Sequence, residues 1–134
     1  MRSELEILQE SKVIAVVGAS NNAQRPGNIA PKFLIDHGYT VIPVNPNESE
    51  ILGQLCYPEL SRIPVKVDVV SIFRRSEDVP PIVDEAIAIG AAAIWMQEGV
   101  SHKEAGAKAS VLNIDVIMDR CIHCAVQDHE AELK

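Results

Sequence analysis

Aromatic residues are scarce in this chain: one Trp, two Tyr and two Phe, 4% of 134 residues. Val, Ile, Leu and Ala must therefore fill the core of a chain that is 47% hydrophobic. Such a core suits a parallel sheet covered by helices on both faces. Basic residues are also in deficit, with 12 Lys and Arg against 19 Asp and Glu and a formal net charge of −7. That balance disfavours a nucleic-acid surface or an anionic membrane as partner. No apolar run approaches the roughly 20 residues of a membrane span, and no signal-peptide pattern opens the chain. Three cysteines, an odd number, argue against a disulfide scaffold and fit a reducing cytoplasm. Repeats, low-complexity tracts and linkers are missing too. The length suits one domain over residues 1–134 with a real core.

What is present is organised around Val13 to Gly27. Val13 to Val17 is an apolar run, β-branched but for Ala15, that stops at Gly18. A strand buried on both faces reads this way. Small and polar residues follow, then Arg25-Pro26-Gly27, then the helical pattern Ile29, Phe33, Leu34, His37. The junction of strand, loop and helix N-terminus is a natural anion site, because unpaired N–H groups point into it. Gly18 lets backbone approach a ligand, Ser20 adds a hydroxyl and Arg25 a positive charge.

The rest of the chain alternates in the same way. Ser3 and Glu6 have capping-box spacing before a short helix to about Ser11. Gly38 reads as a helix C-cap. Strands are expected at Thr40–Val44, Val67–Phe73, Ala91–Met96 and Ile114–Met118. Asn45-Pro46-Asn47 is a turn, and 51–63 an excursion with little regular structure. Pro80 and Pro81 favour Asp78 over Ser76 as the cap of the helix that Gly90 ends. Ser101 and Glu104 offer a second capping box for an Ala-rich helix to about Leu112. The tail from Ile122 is expected to be helical. Five strands with helical crossovers imply an α/β, three-layer, doubly wound parallel sheet. A ligand would then lie outside the C-terminal strand ends. Gly18–Gly27, Asn45–Asn47, Phe73–Arg75, Trp95–Gly99 and Asp119–Cys121 occupy those ends.

Several site types are missing from these loops. Gly18 is followed by Ala19 and Ser20, with no G-x-G-x-x-G. The second strand ends in Asn45-Pro46-Asn47, with no acid before Glu48 to hold a ribose. NAD is disfavoured, while NADP remains open because arginines accept a 2′-phosphate. No Gly-Lys-Ser/Thr exists for a P-loop, and no acids follow the first and third strands as in a phospho-receiver. Arg25 and Arg74 would face the cleft from opposite sides, which suits a phosphate-rich ligand.

Trp95 fits edge packing and a ligand wall equally. Cys121-Ile122-His123-Cys124 has C-x-x-C spacing, but a zinc site would want further ligands, and only Cys56 and His129 could supply them. A thioredoxin-like motif would follow an early strand rather than the last. His37, His102, His123 and His129 read as structural or solvated, so no nucleophile–base pair is visible.

Taken jointly, Val-Val-Gly-Ala-Ser (16–20) with Arg25-Pro26-Gly27, Pro-Val-Asn-Pro (43–46), Ile-Leu-Gly-Gln (51–54), Asp-Val-Val (68–70) with Phe73-Arg74, Trp-Met-Gln-Glu-Gly (95–99) and Met-Asp-Arg-Cys (118–121) form an ordered series. The series resembles the small CoA-binding proteins, whose fold is similar to the nucleotide-binding domain of the succinyl-CoA synthetase α subunit. The resemblance runs from about Lys12 to Cys121. It implies a Rossmann-like domain with coenzyme A across the strand ends. Ser20 and Arg25 would meet phosphates, with Gly18 and Ala19 also at the cofactor, and Asn45 and Pro46 would line the nucleotide end. Phe73 and Arg74 would lie against adenine and diphosphate, with Gln97 and Gly99 near the pantetheine arm. Cys121, at the end of the fifth strand, joins this set, and Arg120 beside it would favour a thiolate able to pair with the CoA thiol. The expected function is a cytoplasmic module that binds CoA or an acyl-CoA as a carrier, sensor or regulator without catalysis of its own. The alternatives are a component of an acyl-CoA ligase with a separate subunit, and an NADP-dependent oxidoreductase.

Overall fold

The computed structural model describes residues 1–133. Five parallel strands form the sheet: β1 (Val13–Val17), β2 (Thr40–Val44), β5 (Val69–Ile72), β6 (Ala93–Met96) and β7 (Asp115–Ile117). Between β2 and β5 lies an antiparallel hairpin of β3 (Glu50–Ile51) and β4 (Gln54–Leu55). The main sheet runs β2-β1-β5-β6-β7. The chain goes from β1 to one side, then crosses back to the other, so the strand order reverses between β1 and β5. The register aligns Val17 with Val44 on one side and with Ile72 on the other. Three strand ends therefore finish level, and the loops that follow them converge.

Alternation along each strand splits the apolar side chains between two helical layers. Ile14 and Val16 of β1, Val69 of β5 and Trp95 of β6 pack with Leu8, Leu34, Ile122 and Val126. Those partners come from α1 (Glu4–Glu10), α2 (Pro26–Asp36) and α5 (Ile122–Asp128). Ala15, Val17, Val70, Ile72, Ile94 and Met96 face the other way, onto Val79, Val83, Ala105 and Ala109. Those belong to α3 (Val79–Ala88) and α4 (Lys103–Val111). The α/β, three-layer, doubly wound fold expected from the sequence is the fold observed. Pro43 sits in β2, an edge strand, where a missing N–H is tolerated. No helix among the described residues is long and apolar enough to cross a membrane.

Local differences from the sequence reading have identifiable causes. The excursion at 51–63 contains the β3–β4 hairpin, because Leu52 and Gly53 both take positive φ, 54° and 74°. That is the backbone of a tight hairpin turn. A 3-10 turn, Leu60–Arg62, follows it. α4 is capped by His102, whose Nδ1 accepts from Ala105 N–H at 3.1 Å, and not by Ser101. The Ser101 N–H instead donates to Ser76 Oγ, so a tertiary contact displaces the local box. Asp78 does precede α3, but its carboxylate turns away from the helix end toward Arg74 and Arg75. The Ser3 and Glu6 capping box forms as expected.

Candidate ligand cleft at the strand ends

A cavity of about 890 Å³ opens over the C-terminal ends of β1, β2, β5 and β6. Its floor is set by the loop from Gly18 to Arg25. Gly18 has φ 91°, and a Cβ there would lie 2.5 Å from the Phe73 carbonyl oxygen. The glycine is needed because the β1 and β5 ends press together; no ligand contact is required to explain it. A Cβ on Gly27 would strike the Gly18 carbonyl oxygen, so the second glycine lets α2 sit directly on the strand end. Pro31, inside α2, lacks the N–H that would reach the Gly27 carbonyl. Ser20 N–H donates to that carbonyl at 3.0 Å instead, tying the loop to the helix.

Amide side chains complete the scaffold. Buried Asn28 donates from Nδ2 to the Ser20 carbonyl at 2.8 Å. Asn45 donates from Nδ2 to the Ala19 carbonyl at 2.9 Å, and its Oδ1 accepts from Asn47 N–H at 2.8 Å. Ser20 Oγ accepts from Asn22 N–H at 3.0 Å, closing a local turn. Arg25 occupies the N-cap of α2 without a side-chain cap, and Pro26 takes the first turn. Pro26 has no N–H, and the Asn28 and Ile29 N–H groups both donate to the Arg25 carbonyl at 2.9 and 3.0 Å, so the Gly27 N–H is what the first turn offers an anion, with Arg25 exposed beside it.

The structure brings together Gly18, Ala19, Ser20, Arg25, Asn45, Pro46, Phe73, Arg74, Gln97 and Gly99 on one cavity wall. Pro26, Gly27, Asn47 and Val100 line it too. The glycine was readable from its place after Arg25-Pro26. Val100 carries no sequence signal, because its side chain reaches the cavity only after the loop folds back. Arg74 is half exposed and lies 3.5 Å from Asp78, a contact that leaves its guanidinium mostly free. Two expected contacts are partly committed elsewhere. Gly99 N–H donates to Asp119 Oδ1 at 2.7 Å. Buried Gln97 accepts the Ile122 N–H on Oε1 at 3.0 Å. Glu59, Asp78, Glu85 and Glu98 also reach the cavity wall. Asp78 faces two arginines, and Glu85 Oε1 accepts the Leu60 N–H at 3.3 Å.

Cys121 is not on the cavity wall. It caps α5, is paired with Cys124 in a disulfide and is 8% exposed. The chain turns into α5 after β7, which carries the sulfur into the helical layer and apart from the other expected site residues. Arg120 does not serve the thiol either. Its Nε and Nη2 grip both oxygens of Glu4 at 3.1 and 3.0 Å, and Nη2 reaches Asp128 at 2.9 Å. These bonds hold the Glu4 carboxyl below its ordinary range, with the Arg120 hydrogen bond the main cause. Trp95 is fully buried and donates from Nε1 to the Arg120 carbonyl at 2.8 Å, so it packs and walls no ligand.

Among the described residues, Cys121, His123 and Cys124 bring three metal-type donor atoms within 4.8 Å of one another. The further ligands the sequence offers lie elsewhere. Buried Cys56 donates from Sγ to the Asn45 carbonyl at 3.6 Å, and burial pushes its thiol pKa up. His129 Nε2 lies 2.9 Å from Glu4.

Residues 12–127 match the model of the CoA binding domain. The chain belongs to that family. Protein YneT of Bacillus subtilis (strain 168) is 41% identical over 120 residues, 90% of this chain and 89% of YneT. ADP-forming acetate–CoA ligase I of Archaeoglobus fulgidus is 42% identical over 81 residues, 60% of this chain but 12% of the ligase. Among solved structures, a hypothetical protein from Pyrococcus horikoshii OT3 superposes with a TM-score of 0.89 at 37% identity, covering 99% of this chain and 94% of the other.

Proposed function

We propose that the chain binds coenzyme A, free or acylated, in the cavity above β1 and β5, as a cytoplasmic carrier, sensor or regulatory module of one domain. One observation carries this reading. Arg25 and Arg74 line one cavity at the N-terminus of α2, and the loop after β2 offers Asn45, Pro46 and Asn47 but no ribose-holding acid. Two guanidinium groups beside a helix N-terminus suit a diphosphate and a sugar phosphate. Family membership points to the same ligand. In this reading Ser20 and Arg25 receive phosphates above Gly18 and Ala19, and Asn45 and Pro46 border the nucleotide. Phe73 and Arg74 lie against adenine and diphosphate, and Gln97 and Gly99 flank the pantetheine arm.

The cavity wall carries no His, Cys or Lys among the described residues. The identity to a segment of an acetate–CoA ligase favours a second reading, a ligase component that acts with a separate subunit. A thermal-shift panel of CoA, acetyl-CoA, NADP, NAD and ATP tests the ligand. A ligand at 100 times its Kd adds about 2.7 kcal/mol of stability. CoA and acetyl-CoA raise Tm and NAD does not; a rise with NADP and none with CoA overturns the reading.

A further inference from the structure

We propose that Cys121 and Cys124 form an exchangeable dithiol–disulfide pair, with His123 as its proton carrier, that reacts with low-molecular-weight thiols and disulfides. The pair lies outside the cavity, so this site is independent of the proposed ligand.

The disulfide is a poor structural staple. Its sequence separation is 3, and both residues belong to the first turn of α5, so it ties no two elements together. Closing so short a loop constrains the unfolded chain least. The two Cα atoms are 5.2 Å apart, within the ordinary span of a disulfide, so the backbone can hold the oxidised pair. The two sulfurs have local polar partners as well. Cys121 Sγ accepts the Cys124 N–H at 3.3 Å, a bond that favours a thiolate on Cys121. His123 Nδ1 lies 3.3 Å from Cys121 Sγ, and Nε2 lies 4.0 Å from both sulfurs. The imidazole is thus placed to take a proton from either thiol. The Phe33 ring, 5.4 Å away by centroids, backs it.

Accessibility sets the order of events. Cys121 is buried and Cys124 is partly open to solvent. An incoming thiolate attacks Cys124 Sγ, and the sulfur–sulfur bond breaks. Its electron pair leaves on Cys121 Sγ, which the Cys124 N–H holds and which takes a proton from His123. A second thiolate attacks the outer sulfur of the mixed disulfide. It releases Cys124 as a thiolate and departs in a symmetric small-molecule disulfide. Two thiols are oxidised and one protein disulfide is reduced; the reverse sequence oxidises the pair at the expense of a small disulfide.

The test uses the full chain in glutathione buffers of graded reduced-to-oxidised ratio, followed by alkylation and intact mass measurement. A reversible two-electron transition in native buffer is expected, with Cys56→Ser unchanged. Oxidised glutathione should leave a stable adduct on Cys121→Ser, at Cys124, and none on Cys124→Ser. His123→Ala should slow reduction about tenfold at neutral pH while its Tm stays put. A pair that exchanges only in denaturant overturns the proposal, as does an unchanged rate in His123→Ala or an adduct confined to Cys56. Stoichiometric zinc on the reduced protein that blocks alkylation also overturns it, and makes the cluster a metal site.

Discussion

Ser20 and Gly27 are joined backbone to backbone: the Ser20 N–H donates to the Gly27 carbonyl at 3.0 Å. The acceptor is free because Pro31, four residues on, has no N–H to offer it. The loop after β1 is thereby anchored on the first turn of α2, next to Arg25. Residues far apart in role, a helix-interior proline and a loop serine, act on one carbonyl.

Gly27→Ala tests that close approach. The added Cβ meets the backbone oxygen of Gly18, which cannot swing aside as a side chain could. A loss of about 1–3 kcal/mol is expected, the usual scale of overpacking. Urea unfolding should show a lower midpoint. A midpoint equal to that of the parent would mean that α2 can lift off β1 freely.

Arg25→Ala and Arg74→Ala test the cavity. Each should weaken CoA binding by about 1.5–3 kcal/mol, the scale of a hydrogen bond to a charged group. Fold stability should hardly change, since Arg25 is exposed and the Arg74–Asp78 pair is half in solvent. Calorimetric titration with CoA at rising salt should also show weaker binding. Unchanged affinity in both variants would move the ligand elsewhere.

Glu4→Gln tests the tether between α1 and α5. Glu4 is held below its ordinary pKa first by the Arg120 hydrogen bond, then by His129, against the opposing effect of burial. A carboxyl with a depressed folded-state pKa stabilises the fold fully above its unfolded pKa and loses this as pH falls through the folded one. At neutral pH the variant should lose about 1–2 kcal/mol, as for one charge-assisted bond. The gap between parent and variant should close as acid unfolding is approached. A gap that stays constant down to low pH would assign the loss to packing instead.

Gln97→Met keeps the volume but removes the acceptor of the buried Ile122 N–H. Leaving a buried donor unpaired costs about 1–3 kcal/mol. Hydrogen exchange at Ile122 should speed up along with a fall in Tm. If Ile122 stays protected, water or another oxygen has replaced the side chain.

Much of the architecture was legible before any coordinates. The run from Val13 to Val17, the prolines at 80 and 81 and the glycines at 38 and 90 act through their own backbone chemistry, so they read locally. Local signals erred where a distant group competed. Ser101 had the right spacing for a capping box, but Ser76 took its N–H and His102 supplied the cap. Trp95 could not be placed from its neighbours, because what decides it is the Arg120 carbonyl 25 positions on.

The sequence by itself determined the alternation of strands and helices and the loops that carry the polar residues. These depend on hydrophobic period and on Gly and Pro backbone limits, which act within a few residues. The tertiary structure alone decided which side chains remain available. Asn45, Gln97 and Gly99 reach the cavity, yet each spends a hydrogen-bonding group on the scaffold. Arg120 is taken up by Glu4 and Asp128, and Cys121 pairs with Cys124 away from the cavity. A hydrogen-bonding group can be counted as free only when all its competitors are in place, and the fold is what puts them there.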